Sequence, residues 1–350
     1  MPTKELVTIF RTRKSKILTT IAVILLVVAA ILYKLADRYL IEHVEVKVTP
    51  NTSITQGTST GTGTSSGSSS SPSSETSSNS TPSSSSSGGT SASTTDTNAG
   101  NDDWNYKDDN ETISIKKVET GSGSDMITYY VADVTFNGKM NLLTAFAKNS
   151  FGTNITQNTS TIAANNNAVF AINGDYYGFR SDGVVIRNGT VYRDEPARVG
   201  LAFFNDGTMK SYDEEEVSTK DLLAQGVTNA FSFGPALVTD GEIAGDFSHV
   251  EIDKNFGNRS IQNSNPRTGI GMIAPNHYVF VVVDGRSTGY SRGMTLTEFA
   301  NLFKELGATE AYNLDGGGSS TMYFKGRVVN NPLGKGNERG VSDIIYIPQS

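Results

Sequence analysis

The pattern of apolar and polar positions divides the chain into three unlike stretches. Residues 17–33, from Ile17 to Tyr33, are apolar apart from Thr19 and Thr20. At about 1.5 Å rise per residue, such a helix just reaches across a thin bilayer. Arg11, Arg13, Lys14 and Lys16 precede it, and Lys34 and Arg38 follow it. The stronger basic cluster on the N-terminal side predicts a cytoplasmic segment over 1–16, a transmembrane anchor over 17–33 and a juxtamembrane segment over 34–50. No small-x-small site stands before the next charges, so an uncleaved anchor is the expectation and a cleaved signal peptide the alternative. The chain is thus expected in the cell membrane, single-pass, with its C-terminal domain extracellular.

The second stretch, 51–108, is polar, and 32 of the 50 residues in 51–100 are Ser or Thr. It buries too little surface to offset chain entropy, so a disordered Ser/Thr-rich linker is expected. Flexible reach over fifty residues is a few tens of Å, on the order of 5–6 Å times the square root of length.

The third stretch, 109–350, alternates in the manner of a folded domain. Ile113–Val118 and Met126–Phe136 read as strands across a Gly-Ser-Gly-Ser turn. Thr268–Ile273 and Tyr278–Val283 read as a hairpin. Thr295 and Glu298 form a capping box before an apolar face at Leu296, Phe299, Leu302, Phe303 and Leu306, and Gly307 is the helix stop. Strands outnumber helices and no regular βα alternation occurs. The predicted class is α+β: a central mixed, largely antiparallel sheet with a few helices packed on it and a site at strand ends.

Charge and composition narrow the chemistry. Residues 1–50 carry +4 and 51–100 carry −2, which leaves −9 for 101–350 out of the total of −7. A net-acidic domain argues against nucleic acid as a partner. There is no cysteine, hence no disulfide framework and no thiol nucleophile. The three histidines, His43, His249 and His277, lack the spacing of zinc ligands.

What remains is a set of corners at predicted strand ends. Asn313-Leu314-Asp315-Gly316-Gly317-Gly318-Ser319-Ser320 ends an apolar run in an acid, three glycines and hydroxyls. Such a run suits a sharp turn whose N–H groups approach an anion. It lacks the Lys of a P-loop, and no Gly-x-Ser-x-Gly elbow activates a serine. Asp284-Gly285-Arg286 follows Val281–Val283, where acid and arginine could simply pair with each other. Pro266-Arg267-Thr268 and Asn173-Gly174-Asp175 complete the set; a solvated edge arginine and an Asx turn are their ordinary explanations. Arg339, after the turn at 336–338, marks nothing by itself. Carboxylates and arginines without thiol or histidine suit acid–base cleavage at a sugar beside an anion, or simple carbohydrate binding. A carboxylate-based structural calcium site at Asp175, Asp284 or Asp315 stays open, and no cofactor is required.

In order along 110–348, Ala171-Ile172-Asn173-Gly174-Asp175-Tyr176-Tyr177, Gly234-Pro235-Ala236-Leu237-Val238, Asn265-Pro266-Arg267-Thr268-Gly269, Val283-Asp284-Gly285-Arg286, Ser291-Arg292-Gly293-Met294-Thr295 and the Asn313–Met322 run resemble the phosphodiester glycosidase family. The resemblance implies hydrolysis of sugar-1-phosphodiester bonds, with envelope or exopolysaccharide material as the carbohydrate or glycosyl-phosphate polymer substrate. It implies Asp315, Asp284 and Asp175 as catalytic candidates. Asn173, Arg267, Thr268, Arg286, Asn313, Gly316, Gly317 and Ser319 are the implied binding residues. One departure stands out: relatives often carry Asn-Gly-Gly-Phe-Phe where this chain has Asn173-Gly174-Asp175-Tyr176-Tyr177, which weakens Asp175 as a catalyst. A non-catalytic polysaccharide-binding or envelope-biogenesis module on the same fold is the alternative.

Overall fold

The structure is a computed structural model that describes residues 3–49, 102–250, 252 and 261–350. Most of the expected linker, residues 51–101, lies outside the described residues.

The expected α+β class holds, with every described strand pairing antiparallel. The strands divide among several sheets. An eight-stranded sheet runs in the order Glu242–Ile243, Ala236–Thr239, Glu310–Leu314, Arg267–Ala274, His277–Val283, Ile127–Phe136, Glu111–Thr120, Asn105–Lys107. A five-stranded sheet runs Arg327–Val328, Met322–Phe324, Ala168–Asn173, Asp343–Pro348, Leu143–Phe146. A second five-stranded sheet carries Val199–Phe204 and Val227–Phe231 at its centre.

Strand alternation explains how they pack. Ile270, Phe280, Val282 and Leu314 of the large sheet face Phe170, Ile172, Met322 and Ile345 of the first small one, with Leu201, Phe203 and Phe231 of the second closing the same core. The Phe170 and Phe280 rings meet edge to face with centroids 5.0 Å apart. The helix Leu296–Glu305 covers the other face of the large sheet, with Phe299 and Phe303 fully buried against Val281, Val283 and Ala311. Burying each such ring stabilises the fold by about 2–3 kcal/mol. The capping box forms as expected, Thr295 Oγ1 accepting from Glu298 N and Glu298 Oε2 accepting from Thr295 N.

Two boundaries differ from the sequence reading. The folded part starts before residue 109. Asn105–Lys107 is an edge strand, and Trp104 stacks on Tyr130 with centroids 6.4 Å apart. The N-terminal helix spans Thr3–Tyr39, and Leu18–Arg38 within it is long and apolar enough to cross a membrane. The juxtamembrane segment is also structured: His43–Lys47 pairs as a strand with Ser150–Thr153.

Candidate functional site

Antiparallel pairing brings the sequence corners together. The C-terminal ends of Ala168–Asn173, His277–Val283 and Glu310–Leu314 and the start of Arg267–Ala274 meet at one end of the packed sheets. Asn173 ties them. Its Nδ2 donates to the Asp315 carbonyl at 2.6 Å, and its Oδ1 accepts from Thr268 Oγ1 at 2.8 Å and from Thr321 N at 3.2 Å. Asn173 and Thr268 are therefore buried cross-links that set the position of Asp315. Asn313 sits one step back, its Nδ2 donating to Gly234 O at 2.8 Å.

The three glycines answer three steric demands. A Cβ at Gly316 would lie 2.7 Å from the Pro266 carbonyl oxygen. Gly317 has φ +63° and lies under the Arg286 guanidinium, whose Nη2 would be 3.3 Å from a Cβ there. Gly318 lies under Arg339, whose Cδ would be 3.1 Å from a Cβ. The corner is thus a floor without side chains on which two exposed arginines rest side by side. Its own N–H groups are mostly engaged: Gly317 N donates to Pro266 O, Ser319 N to Gly316 O and Ser320 N to Gly317 O. The positive charge at this corner lies in the guanidinia above it.

Asp315 faces those cations. Its Oδ2 accepts from Ser319 Oγ at 2.6 Å and from Arg339 Nη2 at 3.3 Å. Ser319 Oγ in turn accepts from Arg339 Nη2 at 2.6 Å. Burial pushes the Asp315 carboxyl above the usual carboxylate range, against the opposing pull of Arg339, Ser319 and Arg180. Arg180 lies between the Tyr176 and Phe233 rings and donates from Nη1 to Ser232 O.

The other two acids are held differently. Asp284 accepts from Asn330 Nδ2 at 2.8 Å, Asn331 N at 2.9 Å and Tyr290 Oη at 2.8 Å, so both oxygens are occupied by protein donors. Burial raises its carboxyl pKa, and the donors from Asn330 and Asn331 oppose that. Asp175 accepts from Arg187 Nη2 at 3.0 Å, from Tyr177 N at 2.9 Å and from Ser232 N at 3.1 Å. Arg187 also donates from Nε to Asp343 Oδ2 at 2.7 Å, and the Phe231 ring lies 3.9 Å from its guanidinium carbon.

Arg267 and Arg286 also separate. Arg267 is buried and donates to the carbonyls of Met294, Ile261 and Asn263 at 2.9, 2.6 and 2.8 Å. Burial, with Arg286 nearby, pushes its pKa down to about 10. It fastens the chain leading into the site. Arg286 does not pair with Asp284; its Nε and Nη2 donate to Asn265 Oδ1 at 3.1 and 2.8 Å, and the side chain is exposed above the glycines. Arg339 and Arg180 are the site residues that sequence reasoning missed. The signal for Arg339 was only a turn followed by an arginine. Among the described residues no group of three or more His, Cys, Asp or Glu is placed to hold a metal ion.

Comparison with known proteins bears on the fold and the family. A relative from Bacillus subtilis (strain 168), the SPbeta prophage-derived uncharacterized protein YomE, is 35% identical over 206 residues, 56% of this chain. The chain spans about a third of that relative's length, the aligned part being 30% of it. The catalytic domain of zebrafish N-acetylglucosamine-1-phosphodiester alpha-N-acetylglucosaminidase, solved in a form auto-inhibited by its pro-peptide, superposes with TM-score 0.53 at 20% identity. That superposition covers 69% of this chain and 84% of the zebrafish one, and it shows a common fold. The phosphodiester glycosidase family profile matches residues 166–348, just over half of the chain and the stretch that holds Asn173, Arg267, Asp284, Arg286, Asp315 and Arg339. The chain belongs to the phosphodiester glycosidase family.

Proposed function

We propose that the domain hydrolyses the bond between a sugar's anomeric carbon and an esterified phosphate. The observation that carries this reading is Asp315, a buried acid bonded to Ser319 and Arg339, beside a glycine floor that seats the exposed guanidinia of Arg286 and Arg339. A phosphodiester would lie across Arg286 and Arg339, whose planar forks match its two unesterified oxygens. Asp315 would take a proton from the attacking water as the anomeric C–O bond breaks, or steady the positive charge at that carbon. The products are a free sugar and a phosphomonoester. A phosphate ester leaves readily, so little general-acid help is needed. Ser319 holds Asp315 in its rotamer, while Asn173 and Thr268 hold its backbone. Asp284, with its oxygens occupied, positions the 330–331 segment, and Asp175 with Arg187 sets the floor behind Gly174.

The apolar helix Leu18–Arg38 supports a membrane anchor, with the domain on the outer side and envelope or exopolysaccharide glycosyl phosphates as substrate. The test is incubation of the protein with synthetic sugar-1-phosphodiesters and isolated envelope polymers, followed by mass spectrometry. Free sugar with a phosphomonoester is the expected result. Tight polymer binding with no product from any substrate would replace the enzyme with a binding module.

A further inference from the structure

The segment between the apolar helix and residue 50 is clamped to the domain, and the clamp is specific. His43 pairs with Thr153, Val44 with Gly152 and Lys47 with Ser150. Gly152 exists for this contact: a Cβ there would lie 1.9 Å from the His43 carbonyl oxygen. Asn154 Nδ2 donates to the Ile41 carbonyl at 2.9 Å and to the Asp37 carbonyl at 3.2 Å, and Lys148 pairs with Glu42. Val48 N donates to Asn149 O at 2.9 Å. The domain is therefore joined to the end of the helix by a strand ladder, before the chain enters 51–100.

The clamp fixes what lies next to the membrane. A cavity of about 360 Å³ has Asp37 and Arg38 of the helix end on one side and Phe179, Arg180 and Asp182 on the other. Arg180 is also, after Arg339, one of the two arginines whose charge acts on Asp315. Exposed apolar side chains occur in the clamp and at the cavity rim. Among the described residues outside the helix they are Leu40, Ile41, Val44, Val46, Phe179, Val199 and Leu223, and the first five belong to the clamp or the cavity.

We propose that the clamp and the cavity rim rest on the bilayer holding the anchor, and that the site acts on glycosyl phosphodiesters whose aglycone is a membrane lipid. The substrate assignment rests on the glycosidase reading; the docking does not. In this arrangement a lipid phosphate would lie at the level of Arg38, beside the cavity that Arg180 lines. Holding enzyme and substrate in one surface layer raises effective concentration without any new contact.

The experiment uses the full chain in phosphatidylcholine vesicles. A Phe179→Trp probe on a Trp104→Phe background is read against lipids brominated near the headgroup end of their chains. Loss of emission is expected, and Gly152→Val, which forces the strand off, should restore it. Val46→Pro repeats the release from the anchor side and leaves the domain's own sequence intact. In parallel, a lipid-linked sugar phosphodiester in the vesicle and a water-soluble one are supplied as substrates. Gly152→Val should lower turnover of the lipid-linked substrate by about 10-fold or more and leave the soluble one unchanged. Unquenched emission at residue 179, or an unchanged lipid preference in both variants, overturns the proposal. Cleavage of neither substrate with quenching intact removes the glycosidase reading and the substrate assignment together, and upholds the docking.

Discussion

Two clusters of aspartate and arginine meet at the end of the strand Ala168–Asn173, where Asn173 bonds to Asp315 and Asp175 follows two residues later, and water reaches only one of them. Around Asp175, Arg187 is shared with Asp343, and these three side chains are at most 1% exposed. Around Asp315, Arg339 is 49% exposed and Arg286 is open above the glycines. Both clusters contain the groups that the chemistry needs. In the closed one, two acids compete for one cation, and burial pushes Asp343 up to about 7. In the open one, two arginines stand beside one acid, the excess of positive charge that the proposed phosphate would need. Residue type therefore does not mark the site; access and the balance of charge do.

The sharpest way to break this contrast is Asp315→Asn. Hydrolysis should fall by about 10²–10⁴-fold, the worth of a positioned acid–base group, with the melting temperature nearly unchanged. In the wild type, the acid limb of the pH–rate profile should lie above the ordinary carboxylate value near 3.8, because burial raises Asp315. A melting temperature that collapses with the rate would make Asp315 structural like Asp175. Arg187→Met is the mirror experiment. It strands two buried acids and should cost about 3–5 kcal/mol in urea unfolding. A stable protein that is merely slow would move Arg187 into the site.

Arg286→Gln and Arg339→Gln each remove a charged donor, for which about 1.5–3 kcal/mol, or 10–100-fold in kcat/KM, is expected, chiefly in KM. A drop in kcat alone would place the arginine on the transition state rather than on bound phosphate. The smallest effect tests a carboxyl with no arginine at all. Glu111 is fully buried and its oxygens have no protein donor. Burial, with the Asp108 charge beside it, lifts its pKa to about 7. Raised above its unfolded value, it contributes stability that is present at acid pH and lost as pH rises through about 7. Glu111→Gln should flatten that dependence and gain about 1–2 kcal/mol at pH 8. Identical slopes in calorimetry across pH 6–8 would give Glu111 an ionised partner.

Much of the fold was legible because its signals are local. The capping box at Thr295 and Glu298, the helix face through Phe299 and Phe303, and the 267–283 hairpin all lie within a few residues of their own cues. The meeting of Asn173, Thr268 and Asp315 followed from corners at strand ends. Partner choice was not legible. Asp175 and Asp343 are 168 positions apart and share one arginine, so neither sequence neighbourhood reveals the pair. Arg267 reads like Arg286 in sequence, yet one side chain turns into carbonyls and the other into solvent. The 43–47 strand has an alternating pattern, but its partner at 150–153 lies beyond the 51–100 segment, where no local rule reaches.

The glycine run has a consequence for which sequences can occupy it. At Gly316 the obstacle to a side chain is the Pro266 backbone, which cannot swing away; at Gly317 it is the sign of φ; at Gly318 it is only the flexible Arg339. A library randomised over 316–318 and selected for folding alone should return glycine most strictly at 316, less so at 317, and admit alanine at 318. Selection for turnover should then close 318 as well, since a methyl group there lifts Arg339 off its seat. One tripeptide would thus carry two separable records, one of shape and one of chemistry.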